Sequence, residues 1–167
     1  MSAGEIRTER LLLTPLEVGD AAEMVTVLDD PALYEFTGGE PPSLEELSTR
    51  YRSQVAGSGR EDEVWYNWIV RLGESGTAVG FVQTTIEGGD ADMAWVIGVA
   101  CQGRGYAAEA AAAMRSWIAA EGLVSFRAHI HPAHVASQKV ATAIGLEPTG
   151  ELDDEGEEIW GAGPQVL

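Results

Sequence analysis

A single cysteine, Cys101, stands among the 167 residues, so no internal disulfide can form. That fits a reducing compartment, and a cytoplasmic location is the expectation. Basic residues are scarce: 10 Lys and Arg face 27 Asp and Glu, for a net charge of −17. Nonspecific nucleic-acid binding depends on Lys and Arg neutralising phosphates, so nucleic acid is not an expected partner. No stretch approaches the ~20 apolar residues needed to span a bilayer, so no membrane partner is expected either. The segment Met1–Arg7 lacks an apolar run behind a basic start and does not read as a secretory signal. Repeats, low-complexity tracts and long linkers are missing too, which leaves residues 1–167 as one domain.

What is present is the balance of a globular chain, 45% hydrophobic and 22% charged residues. The acidic excess either solubilises the surface or draws in cationic partners such as amines. Leu11–Leu13 reads as a short strand. Ala21 to Leu28, opened by Asp20, reads as an amphipathic helix that stops before Pro31. Ser43 and Glu46 form a capping box for a helix reaching about Val55, ahead of Gly57. Trp65–Leu72, Ala78–Ile86 and Ala91–Val99 are strand-like and joined by short turns, as in an antiparallel meander. The period then changes to that of a helix from Arg104 to Glu121. Ser125–Ile130 follows as a strand, Val135–Ile144 as a helix and Glu157–Trp160 as a last strand. The order βααβββαβαββ predicts a mixed α/β domain with helices packed on a sheet.

The segment Val96 to Ala107 carries the chemistry. A strand ends, the turn Gln102-Gly103-Arg104-Gly105 follows, and a helix begins at Tyr106-Ala107. Free backbone N–H groups and the positive end of a helix dipole converge there, which makes an anion site. Gly103 and Gly105 let a phosphate approach the backbone, and Gln102 and Arg104 add donors. The same two glycines would also suit a plain strand-to-helix turn. A P-loop is ruled out because no Gly-x-x-x-x-Gly-Lys-Ser/Thr run exists. Gly103 to Ala108 satisfies the dinucleotide fingerprint literally, but that fingerprint needs a parallel βαβ unit and an acidic residue ~20 positions on. Three hairpin-like strands precede this turn, and the next strand ends in His129-Ile130-His131, so the context rejects it.

Gln102-Gly103-Arg104-Gly105-Tyr106-Ala107 resembles the Arg/Gln-x-x-Gly-x-Gly/Ala acetyl-CoA motif of the GNAT superfamily of N-acetyltransferases. Three further segments resemble the branch that includes the ribosomal-protein N-terminal acetyltransferases: Thr8-Glu9-Arg10-Leu11-Leu12-Leu13 with Pro15-Leu16, Gly105 to Ala110, and His131 to Ser137 with Gly145-Leu146. The resemblance implies a mixed, largely antiparallel sheet of about seven strands flanked by about four helices and splayed between the fourth and fifth strands. It implies acetyl-CoA in that wedge, its pantetheine on the strand edge Ile97-Gly98-Val99 and its pyrophosphate on Gln102–Ala107. A backbone N–H near Ile97 would polarise the thioester carbonyl. The implied reaction is direct acetyl transfer to a primary amine, a protein N-terminus or a small amine, cationic amines included. A non-catalytic module that binds coenzyme A or a partner on the same fold is the alternative, and a homodimer is left open.

Transfer to an amine needs a base, a stabilised oxyanion and a proton source for the thiolate. Asp92 occupies the fourth-strand position where some GNAT enzymes carry a base; it could equally be a surface carboxylate. Glu157 and Asp154 lie near another base position of the branch, but six carboxylates crowd residues 151 to 158, so the register stays open. Ser137 matches the serine that the branch is thought to use near the sulfur, or it simply bonds within its helix. His134 stands where the family has Asn, which contacts pantetheine, and imidazole can still donate one N–H. His129, His131 and His134 lack a further ligand at metal-site spacing, so no metal is expected. Cys101 has no partnered His and Asn or Asp, which makes it a bystander rather than a nucleophile.

Overall fold

The computed structural model describes residues 3–122 and 125–162; Met1 and Ser2 of the N-terminal segment lie outside them. Eight strands form one sheet in the order β1-β2-β3-β4-β5-β6-β8-β7. The strands are β1 (Ile6–Arg7), β2 (Leu11–Pro15), β3 (Glu63–Leu72), β4 (Ala78–Glu87), β5 (Asp90–Ile97), β6 (Ser125–Ile130), β7 (Glu147–Leu152) and β8 (Glu158–Ala162). The helices are α1 (Ala21–Val27), α2 (Leu44–Ala56), α3 (Tyr106–Ala120) and α4 (Val135–Ala143). The sheet thus has one strand more than the sequence suggests. The extra one, β1, is two residues long and too short to show a period, and it forms by pairing Ile6 and Arg7 with Leu13 and Leu12. The fourth and fifth strands of the sequence reading are therefore β5 and β6.

Local chemistry explains the boundaries. The capping box of α2 forms in both directions: Glu46 N–H donates to Ser43 Oγ at 3.1 Å, and Ser43 N–H donates to Glu46 Oε1 at 3.2 Å. Aromatic and β-branched residues fill β3 and β4, which pair antiparallel along their lengths. Two boundaries differ from expectation. β5 ends at Ile97 rather than Val99, because Val99–Cys101 coils into a 3-10 turn that closes when Cys101 N–H bonds Gly98 O. α3 starts at Tyr106 rather than Arg104, because Gly105 is left-handed and ends the turn before it.

Alternation sends the two faces of the sheet into two cores. Met93, Trp68, Val82 and Ile130 pack beneath α3 and α4 with Ala110, Met114, Ile118 and Ala141. Ile69 and Ala78, with Phe81 and Val96 beside them, pack beneath α1 and α2 with Met24, Leu28, Leu47 and Tyr51. All adjacent pairs are antiparallel except β5 with β6. That parallel pair is joined only at Asp90, Ala91 and Asp92, opposite Ser125, Phe126 and Arg127. Among the described residues, the outer edge of β5 has no neighbouring strand from Met93 to Ile97, and the sheet opens into a wedge.

Candidate functional site

The turn after β5 is an anion cradle made of backbone. Gly103 and Gly105 have φ of 80° and 82°, the left-handed region that only glycine enters freely. Among the described residues, the N–H groups of Gly103, Arg104 and Gly105 have no acceptor. The first bond of the helical ladder is Glu109 N–H to Gly105 O at 3.1 Å, so the amides of Tyr106, Ala107 and Ala108 precede it. Successive unpaired amides at the positive end of a fifteen-residue helix suit a pyrophosphate. A Cβ on Gly103 would meet nothing within 4 Å, so the space above it is open. The Arg104 side chain is exposed and makes no ion pair among the described residues, which leaves its guanidinium available to an anion.

Gln102 serves differently from expectation. Its side-chain N–H donates to Ile97 O at 2.9 Å and so ties the turn to the strand end. Gly98 N–H is taken by Val79 O at 2.8 Å. Among the described residues, the edge without a strand partner therefore runs from Met93 to Ile97, where the Ile97 carbonyl is already taken by Gln102; it overlaps the Ile97–Val99 stretch implied by the resemblance only at Ile97. Tyr106 and Ala107 pack partly buried against the core, and their backbone rather than their side chains faces the cradle. Cys101 packs against the same core.

A clasp that sequence reasoning missed holds the cradle in place. Glu109, in the first turn of α3, accepts from Thr8 Oγ1 at 2.6 Å, from Arg10 N–H at 3.0 Å and from Arg10 Nε at 2.7 Å. Arg10 also donates to Arg104 O at 2.8 Å and lies over the Tyr106 ring at 4.7 Å. Burial pushes the Glu109 carboxyl up, but the bonds from Thr8 and Arg10 outweigh it and hold the group below its usual range. Thr8, Arg10 and Glu109 all stand in the recognised segments, but nothing in a linear reading links residues 99 apart.

The far side of the wedge carries the titratable groups. Asp92 and Arg127 are cross-strand partners and form a two-pronged ion pair, both bonds 3.0 Å. His129 lies beyond, with Nε2 3.4 Å from Asp92 Oδ1 and Nδ1 2.8 Å from Asp153 Oδ2. Asp153 also accepts from the N–H groups of Glu155 and Glu157, so it organises the β7–β8 turn. Of the acidic cluster, only Glu157 has its carboxyl shifted upward, by burial first and then by Asp153 and Glu155. That shift sets Glu157 apart from its five acidic neighbours.

At the N-terminus of α4, Ser137 Oγ lies 3.4 Å from His134 Nε2. Phe36 stacks on His134 with ring centroids 4.5 Å apart and tilts against His131 at 5.2 Å, so the loop before α2 reaches over this helix end. Burial pushes the His134 imidazole down, and Glu35 opposes that shift. The three histidines do not converge: His129 binds Asp92 and Asp153, His131 accepts from Ala133 N–H, and His134 faces Ser137. Among the described residues, no group of three or more His, Cys, Asp or Glu could hold a metal ion, and no helix is long and apolar enough to cross a membrane.

The sequence of residues 10–147 matches the Acetyltransferase (GNAT) domain family. The chain belongs to the GNAT acetyltransferase family. No curated protein matches it. Among solved structures, this GNAT domain is similar to an acetyltransferase from Agrobacterium tumefaciens str. C58, with 27% identity and TM-score 0.76 over 97% of this chain and 95% of that one. It shares its fold with a GNAT-family acetyltransferase from Bacillus anthracis, with 21% identity and TM-score 0.79 over 96% and 98% of the two chains. It also shares its fold with RimL, a ribosomal L7/L12 alpha-N-protein acetyltransferase in complex with coenzyme A, with 12% identity and TM-score 0.81 over 96% and 98%.

Proposed function

We propose that this single GNAT domain is an acetyl-CoA-dependent N-acetyltransferase that moves the acetyl group directly to a primary amine. The observation that carries the reading is the unpaired amide row from Gly103 to Ala108, set beside the open β5 edge. Acetyl-CoA supplies the acyl group as a thioester, and RimL, of the same fold, holds coenzyme A. In this reading the pyrophosphate lies on Gly103, Gly105 and the first amides of α3, with Arg104 as the charged donor. Pantetheine extends the sheet along Met93–Ile97 and reaches His134 on the opposite wall. An open strand edge is a liability that an extended ligand satisfies.

The chain's own groups fit the proton transfers. Asp92 has both carboxylate oxygens bonded to Arg127, so its role is to pin β6 at the apex of the wedge. Glu157, its carboxyl raised by burial and near His129 and His131 just before β8, is better suited to take a proton from the amine. The amine nitrogen then attacks the carbonyl carbon, an outward amide of β5 near Ile97 stabilises the oxyanion, and the C–S bond breaks. Ser137 donates a hydrogen bond or its proton to the departing thiolate. A reduced Cys101 is in line with a cytoplasmic setting.

The test combines calorimetry and thermal shift with acetyl-CoA and thiol release over a panel of amines and peptides. Binding with turnover is expected, since a ligand of the folded state raises Tm by mass action. Neither shift nor heat at millimolar acetyl-CoA would overturn the cofactor assignment. Binding without turnover would instead favour a module that binds coenzyme A without catalysis.

A further inference from the structure

A cavity of about 170 Å³ lies between α2 and the sheet, outside the cofactor wedge. Leu47, Arg50, Tyr51 and Gln54 of α2 recur at helical spacing and face it together. Leu28, Ile69 and Phe81 give it an apolar body. Its polar groups are Arg50, Tyr51, Gln54, Asn67 and Gln83, and no carboxylate lines it. That last fact is pointed in a chain with 27 acidic residues and 10 basic ones.

Two groups at this cavity lack partners. Tyr51 is 4% exposed, yet its hydroxyl has no hydrogen bond among the described residues. Burial raises the phenol to about 12, so it remains a donor at neutral pH. Arg50 makes no ion pair among the described residues. Glu46, one turn earlier, is bonded to the Ser43 amide in the capping box rather than to Arg50. An arginine with no direct ion pair, and only Glu46 one turn away, at the rim of a cavity lined by no carboxylate suits a carboxylate and repels an ammonium.

The cavity shares no lining residue with the wedge, but it sits on the strand beside the open edge. Phe81 and Gln83 on β4 pair with Val96 and Ala94 on β5, within the stretch of β5 whose outer edge is open. Strands lie about 4.8 Å apart, so the Phe81–Gln83 wall on β4 is one strand spacing from β5. An acceptor seated there can extend its amine toward the wedge.

We propose that this cavity is the acceptor site, and that the acceptor is a primary amine with an apolar body and a carboxylate, which Arg50 binds. The inference rests on the acetyltransferase reading and narrows it. It disfavours polyamines, whose second ammonium would lie unpaired against apolar walls. The acidic surface then serves solubility, and the cavity sets the choice.

The test uses matched probes on the whole protein: phenylalanine against phenylalaninamide, and 6-aminohexanoate against hexylamine, with spermidine as the cationic competitor. In at least one pair the carboxylate member should have a kcat/KM roughly 10- to 100-fold higher than its uncharged partner, the scale of a charged hydrogen bond. Arg50→Ala should erase that preference by raising KM for the carboxylate member alone, and Arg50→Lys should restore part of it. Arg50 is exposed on α2, so both variants should fold, which circular dichroism checks. Preferred turnover of spermidine, or an equal effect of Arg50→Ala on both members of a pair, would overturn the inference while leaving acetyl transfer intact. If no amine turns over, calorimetry with N-acetylphenylalanine decides: binding lost in Arg50→Ala supports the cavity, and no binding to the wild type ends it. Failure of acetyl-CoA to shift Tm would fall on the parent reading instead.

Discussion

The two walls of the wedge are built on different principles. The β5–α3 wall presents backbone: amides over two left-handed glycines that have no acceptor among the described residues, with the exposed Arg104 beside them. Side chains there act from behind, as Thr8, Arg10 and Glu109 fix where the amides point. The β6–α4–β8 wall presents side chains, among them His134, Ser137, His129 and Glu157, each set by its own neighbours. A backbone cradle suits a ligand part that is the same in every turnover. A wall of titratable side chains suits the step that varies with the acceptor. The two walls should therefore fail differently when altered.

The largest effect is expected on the first wall. Gly105→Val places a branched side chain at φ 82° with Arg10 within 3.4 Å of its Cβ. Acetyl-CoA affinity should fall by about 100-fold or more, and stability by about 2 kcal/mol from the backbone strain. Calorimetry and thermal melts read both, and an unchanged Kd would reduce the turn to a structural feature.

Ser137→Ala should do the opposite, lowering kcat by roughly 100-fold with acetyl-CoA affinity nearly unchanged. A normal kcat would remove Ser137 from the proton path and hand it to solvent.

Glu109→Gln tests whether the clasp acts through the cradle. Losing charge-assisted bonds to Arg10 should cost about 1.5 kcal/mol of stability and several-fold in affinity without a separate effect on kcat. The folded carboxyl lies below its usual value, so its contribution is present at neutral pH and is lost as pH falls below about 4.5. Wild type and variant should therefore converge in stability in acid; a constant difference from pH 7 to 3 would contradict this.

His134 gives a smaller signature of the same sign in a higher pH window. Its imidazole is depressed in the folded state, so the unfolded chain binds the proton more readily. Stability should be unaffected above pH 6.5 and decline as pH falls through it, and His134→Asn should flatten that decline. The smallest effect is expected at Asp92→Asn. Its ion pair is about one-third exposed, so stability should drop by under ~1 kcal/mol and kcat by only a few-fold. A loss of kcat nearer 1,000-fold would restore Asp92 as the base in place of Glu157.

Much of this was legible along the chain because it is local. The capping box at Ser43 and Glu46 needs only three residues of separation, and the cradle needs only a strand, two glycines and a helix in succession. What stayed hidden was non-local or a matter of degree. Arg10 and Glu109 meet from nearly 100 residues apart. The occupation of Asp92 by Arg127 depends on a parallel register that no short-range pattern encodes. Which of six clustered carboxylates is raised depends on burial after β7 and β8 pair.

Backbone preference acts over a few residues, so periods, turns and caps, the strands and helices other than β1, and the cradle at Gly103–Ala107 can be read along the chain. Where β5 and β6 part, which acids are already paired, and the cavity beneath α2 that no carboxylate lines all depend on contacts between distant segments. Those properties follow from which distant groups share a small volume, where desolvation and pairing outweigh the identity of any single residue.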